Sequence, residues 1–223
     1  MKIIVDDKIP YIREALDSMN ADVEYICGAD IKPADVAYAD ALIVRTRTRC
    51  DSHLLEGSRV EFVATATIGI DHLDTEWLDE AGIHWVNCPG CNASSVGQYI
   101  ETSLMRLGIT SGAVVGIVGC GHVGKEVEIV CERLGLETII NDPYIDDHSY
   151  VSLEEVVKHS DVITFHVPLT YKGEYPTYKM ADRRFFDMLS DRERPLECII
   201  NTCRGGVIDE QALLDAMDAG IVK

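Results

Sequence analysis

Residues 114–127 read VVGIVGCGHVGKEV, an apolar run punctuated by Gly119, Gly121 and Gly124 that passes directly into a helix-forming stretch. Glycine at the first of these positions makes a tight turn, at the second leaves the backbone bare, and at the third lets a helix pack closely on the preceding strand. The string therefore predicts a strand–turn–helix unit, and such a unit belongs in a parallel sheet with helical crossovers. The rest of the chain agrees. Short apolar runs at 2–5, 23–27, 41–44, 61–64 and 84–86 predict strands, separated by helical stretches at 12–19, 33–37 and 75–80. A longer helix is expected over 94–107, with Ser94 or Ser95 as its N-cap and Val96, Ile100, Leu104 and Leu107 on one face. The alternation then restarts, with strands at 114–118, 137–141, 162–166 and 197–201 and helices at 124–134, 153–159, 183–189 and 210–219. Two α/β units in succession predict two domains, 1–93 and 94–223.

The glycine turn has a chemical reading as well as a geometric one. A helix start behind a bare backbone presents free N–H groups to a pyrophosphate. A GxGxxG turn alone is weak evidence, and its alternative is an ordinary glycine-rich turn. Eighteen residues past Gly124, however, the apolar run ETIIN ends at Asp142. A carboxylate there is placed to accept from both hydroxyls of an adenosine ribose and repels a 2′-phosphate, which points to NAD rather than NADP. Gly119, Gly121 and Gly124 with Asp142 are thus the first cofactor-binding candidates. His166, Val167 and Pro168 follow at the end of the next expected strand, in DVITFHVPLT. His166 reads either as an acid/base group or as a wall of the cofactor pocket.

Net charge bears on the partner. With 38 acidic against 20 basic residues the chain stands at −18, which argues against a nucleic-acid or anionic-membrane surface. An anionic ligand would require the few cations to be gathered locally. VRTRTRC (44–50) does this at a strand end, where continued extended geometry would place Arg45, Arg47 and Arg49 on one face and Thr46 and Thr48 on the other. The alternative is a solvated basic loop. ATATIGIDHLD (64–74) supplies Thr65 and Thr67 at a second strand end. Arg204, delivered by IINTCRGG at the end of the last expected strand, suits a carboxylate. Eight cysteines at irregular spacings, with no secretory signal at the start of the chain, read as reduced buried thiols; Cys88-Pro89-Gly90-Cys91 reads as a hinge, and no metal site is expected.

Strand-end threonines, PGCNASSVGQYI, GCGHVG, Asp142, HVPLT and NTCRGG, in that order, resemble the D-isomer-specific 2-hydroxyacid dehydrogenases along essentially the whole chain. A narrower likeness, to members acting on a phosphorylated 2-hydroxy acid, is carried by VDDKIPYIREAL, PGCNA, YPTYKMAD and Cys203-Arg204-Gly205. The resemblance implies a flavodoxin-like substrate-binding domain followed by a Rossmann-type NAD-binding domain, both with parallel sheets. It implies Arg204 as the catalytic arginine, gripping the substrate carboxylate and polarising the C2 oxygen. Thr46 and Thr67, with Arg45 and Arg47, would hold a small anionic 2-hydroxy acid. His122, Val123 and Cys203 would join the cofactor set. Val167 departs from relatives that have threonine there, leaving only backbone groups for that contact. A histidine base and its carboxylate partner are implied beyond Lys223, as is a dimerisation region, so the sequence to Lys223 carries the arginine without its base. A cytoplasmic homodimer is the implied setting. Other acids of the same class, such as phosphoglycerate or glyoxylate/hydroxypyruvate, remain open, as does a regulatory protein that binds NAD without turnover.

Overall fold

Nine strands, every one paired in parallel, form two separate sheets in the computed structural model, which describes residues 1–223. The chain divides into two units, Met1–Cys91 and Asn92–Lys223.

The first unit carries β1 (Lys2–Asp6), α1 (Ile12–Leu16), β2 (Asp22–Ile26), α2 (Pro33–Val36), β3 (Ala41–Val44), α3 (Ser52–Leu55), β4 (Phe62–Thr65), α4 (Thr75–Glu80) and β5 (His84–Val86). Its sheet order is β2-β1-β3-β4-β5, the flavodoxin-like order. The middle of β1, Ile3–Val5, and all of β3 are apolar because helices cover both faces of a parallel sheet. One core gathers Ile4, Leu42, Val63 and Leu78; the other gathers Ile3, Val5 and Leu16. β2, at the edge, keeps acidic Asp22 and Glu24 exposed.

The second unit opens with α5 (Ala93–Arg106) and continues through β6 (Val114–Val118), α6 (His122–Leu134), β7 (Glu137–Asn141), α7 (Leu153–His159), β8 (Val162–Phe165), α8 (Arg183–Ser190), β9 (Cys198–Asn201) and α9 (Glu210–Asp218). The order β7-β6-β8-β9 is that of a Rossmann-type sheet, and the chain leaves β6 for one side and returns on the other. That reversal opens a crevice outside the C-terminal ends of β6 and β8. α5 and α6 cover one face through Ile100, Leu104, Val127 and Cys131, while Phe165, Phe185, Leu189 and Val156 fill the other. No helix is long and apolar enough to cross a membrane.

Several local expectations are corrected. α5 starts at Ala93 with Asn92 at the N-cap, so Ser94 and Ser95 lie inside the helix and cap nothing. Leu107 is exposed, since the helix ends before it and only Ile100 and Leu104 of the expected face are fully buried. α3 was not expected: it is four residues long, too short to show periodicity, and is held by Asp51, whose side chain accepts from the Leu54 N–H. All eight cysteines are free, but Cys88 and Cys91 are exposed rather than buried, because they flank the Pro89-Gly90 turn.

Candidate cofactor and substrate sites

The turn after β6 is fixed by steric exclusion. Gly119 has φ +90°, and an added Cβ would stand 2.8 Å from Val167 Cγ1 and 2.9 Å from the His166 carbonyl oxygen. A Cβ on Gly124 would overlap the carbonyl oxygen of Gly119, so the first turn of α6 can lie on the strand end only as glycine. Gly121 is different. It is the N-cap of α6 and has nothing within 4 Å of a built Cβ. The space kept open there, in front of a 13-residue helix with no side-chain cap, is what a pyrophosphate requires. His122 is exposed beside it, and Val123 is half-buried against the α5–α6 core.

Asp142 closes this cradle from β7. Its Oδ2 accepts from the Cys120 N–H at 2.8 Å and its Oδ1 from the Tyr144 N–H at 3.1 Å. The Gly119 N–H donates to the Asn141 carbonyl at 2.8 Å, so backbone and carboxylate together pin the turn to the end of β7. Each carboxylate oxygen retains acceptor capacity for a ribose hydroxyl.

At the end of β8, His166 is bound at both ring nitrogens: Nε2 lies 2.9 Å from Thr164 Oγ1 and Nδ1 lies 2.9 Å from Thr202 Oγ1. Burial pushes its pKa down to about 4. A neutral imidazole has one donor and one acceptor, so one threonine accepts from the ring and the other donates to it. The geometry therefore favours the wall reading of His166 over an acid/base role. Val167 packs on the same apolar core as Cys203. The Pro168 carbonyl accepts from the Thr177 hydroxyl, which staples the loop 168–177 shut. Burial raises the Cys203 thiol, which donates to Asn201 Oδ1 at 3.0 Å.

Arg204 follows directly. Asn201 splints its turn, accepting from the Cys203 N–H at 3.0 Å and donating through Nδ2 to the Arg204 carbonyl at 2.9 Å. A single 3-10 turn, Gly205–Val207, comes next, and Arg204 Nη1 donates to the Cys203 carbonyl at 3.1 Å. Thus Gly119, His166, Val167 and Cys203 converge at one crevice, with Arg204 next in the chain at its β9 side.

In the first unit the expected extended run after β3 does not form. The β3–β4 ladder ends at Val44 and Thr65, and with no neighbour to pair the chain turns, the Thr48 N–H donating to the Arg45 carbonyl at 3.2 Å. The three arginines therefore do not share a face. Arg45 turns to Asp6, with Nε 3.6 Å from Oδ2, and Arg49 pairs with Asp51 at 2.9 Å. Thr48 is buried and donates to the Gly28 carbonyl at 2.8 Å, while Thr46 and Arg47 are exposed at the turn. At the end of β4, buried Thr65 bonds both Thr67 Oγ1 (2.8 Å) and His72 Nε2 (2.9 Å), and Thr67 donates to the Gly69 carbonyl at 3.0 Å.

Sequence reasoning missed Asn201, Thr164, Thr202 and Asp6. The alternation of Thr164, His166 in one strand gave a usable hint, since residues two apart share a face. Asp6 stands directly after the first expected strand, 2–5, where nothing in the local sequence distinguishes it from an ordinary strand-end residue.

Residues 93–223 match the family profile described as the NAD-binding domain of D-isomer specific 2-hydroxyacid dehydrogenase. The chain is 48% identical to an erythronate-4-phosphate dehydrogenase of Bacteroides fragilis, covering 100% of this chain and 65% of that protein. It is 39% identical to one from Porphyromonas gingivalis, covering 99% and 61%. The chain thus spans less than two thirds of the length of these curated relatives. Among solved structures, a 3-phosphoglycerate dehydrogenase from Entamoeba histolytica with NAD+ bound superposes with a TM-score of 0.82 at 27% identity, covering 100% of this chain and 78% of that one. The apo D-lactate dehydrogenase of Escherichia coli shares the fold, with a TM-score of 0.81 at 22% identity and coverage of 100% and 80%.

Proposed function

The chain belongs to the D-isomer specific 2-hydroxyacid dehydrogenase family, and from that premise we propose that it serves the NAD-dependent oxidation of 4-phospho-D-erythronate at C2 to the 2-oxo acid. The observation that carries the substrate is the 48% identity to an erythronate-4-phosphate dehydrogenase across the whole chain. The cradle of Gly119, Gly121, Gly124 and Asp142 supports the cofactor, because only Gly121 leaves space and Asp142 offers two oxygens. NAD, when bound, supplies the hydride acceptor.

In this reading Asp142 selects the unphosphorylated ribose by charge, and the α6 N-terminus with Gly121 receives the pyrophosphate. His122 and Val123 border it, while His166, Val167, Pro168 and Cys203 wall the nicotinamide half. Arg204 holds the substrate carboxylate and stabilises the negative charge that grows on the C2 oxygen as its proton leaves. Thr46, Thr67, Arg45 and Arg47 are assigned to the substrate. The proton acceptor is not assigned to His166, whose two nitrogens already serve Thr164 and Thr202. A cytoplasmic homodimer completes the proposal.

The test is a substrate panel with the purified native protein: 4-phosphoerythronate, 3-phosphoglycerate, D-lactate and hydroxypyruvate, with NAD or NADH as appropriate. The highest kcat/KM is expected with 4-phosphoerythronate. Arg204→Ala should lower kcat/KM about a hundred- to a thousandfold while leaving NAD affinity within about twofold. Turnover of another acid but not of 4-phosphoerythronate, or NAD binding with no turnover at all, overturns the proposal.

A further inference from the structure

Exactly where the first sheet reverses its strand order, the fold leaves polar atoms unsatisfied. Only three buried side-chain polar atoms lack a hydrogen-bond partner: Asp6 Oδ2, Asp7 Oδ1 and Arg45 Nε. All stand at the C-terminal ends of the adjacent strands β1 and β3 or directly after them. Buried polar groups are nearly always paired, so such a cluster calls for an explanation. Asp6 is 1% exposed. Its Oδ1 accepts from the Lys8 N–H at 2.9 Å, and its Oδ2 faces Arg45 Nε at 3.6 Å, too far for a hydrogen bond but close enough to attract.

We infer that Asp6 is a positioning residue: it aims the Arg45 guanidinium at an oxyanion of the substrate, beyond the end of the first sheet. The inference rests on the reading of Arg45 as a substrate group. As a stabilising ion pair the arrangement is poor, because burying the carboxylate costs more than a loose 3.6 Å contact returns. As an orienting device it is effective. A guanidinium steered through Nε keeps its two Nη groups as a fork for phosphate or carboxylate, and the Arg45 side chain retains 35% exposure through which a ligand can reach it. The carboxylate in turn is backed by Gly28. A Cβ there would overlap Asp6 Oδ2 and lie 2.9 Å from its Cγ, and Gly28 is itself fixed by the bond from Thr48 to its carbonyl. Gly28 thus leaves Asp6 its one position, and Asp6 gives Arg45 its direction.

The experiment compares Asp6→Asn, Gly28→Ala and Arg45→Ala in the native protein, with a phosphorylated and an unphosphorylated 2-hydroxy acid. Asp6→Asn removes the charge at constant shape; Gly28→Ala displaces the carboxylate without removing it. Both should raise KM about ten- to a hundredfold, with a smaller change in kcat and no change in NAD affinity. A loss confined to the phosphorylated acid identifies the oxyanion as the phosphate; an equal loss with both identifies it as the carboxylate. If Arg45→Ala changes neither KM, the substrate reading of Arg45 fails. If Arg45→Ala raises KM while both other variants do not, the positioning inference alone fails. Tighter binding in Asp6→Asn would make Asp6 a mere opposing charge and also overturn it. Should the variants fold poorly, the unmodified protein decides. The Arg45 ε N–H resonance, assigned by its loss in Arg45→Lys, should exchange more slowly than that of exposed Arg47 and shift when the phosphorylated acid is added. Equal exchange and no shift overturn the inference.

Discussion

At the end of β6 the first two amides of the turn find partners within the fold: the Gly119 N–H on the Asn141 carbonyl, the Cys120 N–H on Asp142. At the ends of β1 and β3 the opposite holds, and Asp6, Asp7 and Arg45 each keep a buried atom without one. The two sites are equivalent places in two parallel sheets, yet one is shaped mainly by backbone, by glycines and by one carboxylate that binds backbone, the other by charged side chains facing each other. A backbone cradle is rigid and suits one ligand of fixed form, such as a pyrophosphate. A side-chain site depends on a few torsions, which is where a choice among small acids can be set.

The largest expected effect tests the first half of that contrast. Gly124→Ala forces a Cβ into the Gly119 carbonyl and should destabilise the second unit by about 1–3 kcal/mol or more. NAD titration should show binding lost beyond about a hundredfold. Gly121→Ala is the sharper probe. With nothing within 4 Å and φ −72°, alanine fits the backbone there, so thermal unfolding should be unchanged while NAD binding still weakens. A Gly121→Ala protein that binds NAD normally would break the cradle reading.

Next comes the neutral polar network beside the cradle. The folded pKa of His166, about 4, lies below its ordinary value of 6.5, so protonation is disfavoured in the native state. Its contribution to stability is full above pH 6.5 and is lost as pH falls toward 4, by roughly 2–3 kcal/mol in all. Urea titrations at pH 7 and pH 4.5 should show that loss, and His166→Gln should reduce it. An undiminished slope in the variant would assign the acid sensitivity elsewhere. A smaller effect is expected at Asp142→Asn, which keeps the shape but removes the charge. NAD should bind about tenfold more weakly, and discrimination against NADP should shrink by at least as much. Unchanged discrimination would mean that the ribose is read by other groups.

These sites differ in how far the sequence discloses them. The glycine turn was legible because each glycine answers a steric demand that acts over a few residues; Gly119 and Gly124 stand where the spacing places them. The parallel sheets were legible too, since apolar runs such as those of β3 and β6 are buried on both faces and need no partner to declare themselves. The arginine run was not. Whether Arg45, Arg47 and Arg49 share a face depends on whether β4 continues beside them, and the ladder stops at Thr65. Nor could Asp6 be found, because its meaning lies in Arg45 and Gly28, 39 and 22 residues away. His166 sat between: its place was readable, but its two threonine partners, one of them beyond α8 in the chain, were not.

The smallest effect separates helix starts that look alike in sequence. Ser94, an expected N-cap, and Ser152 both stand at the start of helical runs. Ser152 is a cap: its hydroxyl accepts from the Glu155 N–H at 3.2 Å, satisfying a donor that α7 leaves open. Ser152→Ala should cost about 1 kcal/mol. Ser94 stands at the second residue of α5, past the true cap at Asn92, where alanine is the better helix former. Ser94→Ala should therefore be neutral or stabilising by up to about 0.5 kcal/mol. Denaturant titration of the two variants gives the comparison directly. If Ser94→Ala proved the costlier change, α5 would begin later than Ala93, and the backbone route from Cys91 into the second unit would need redrawing.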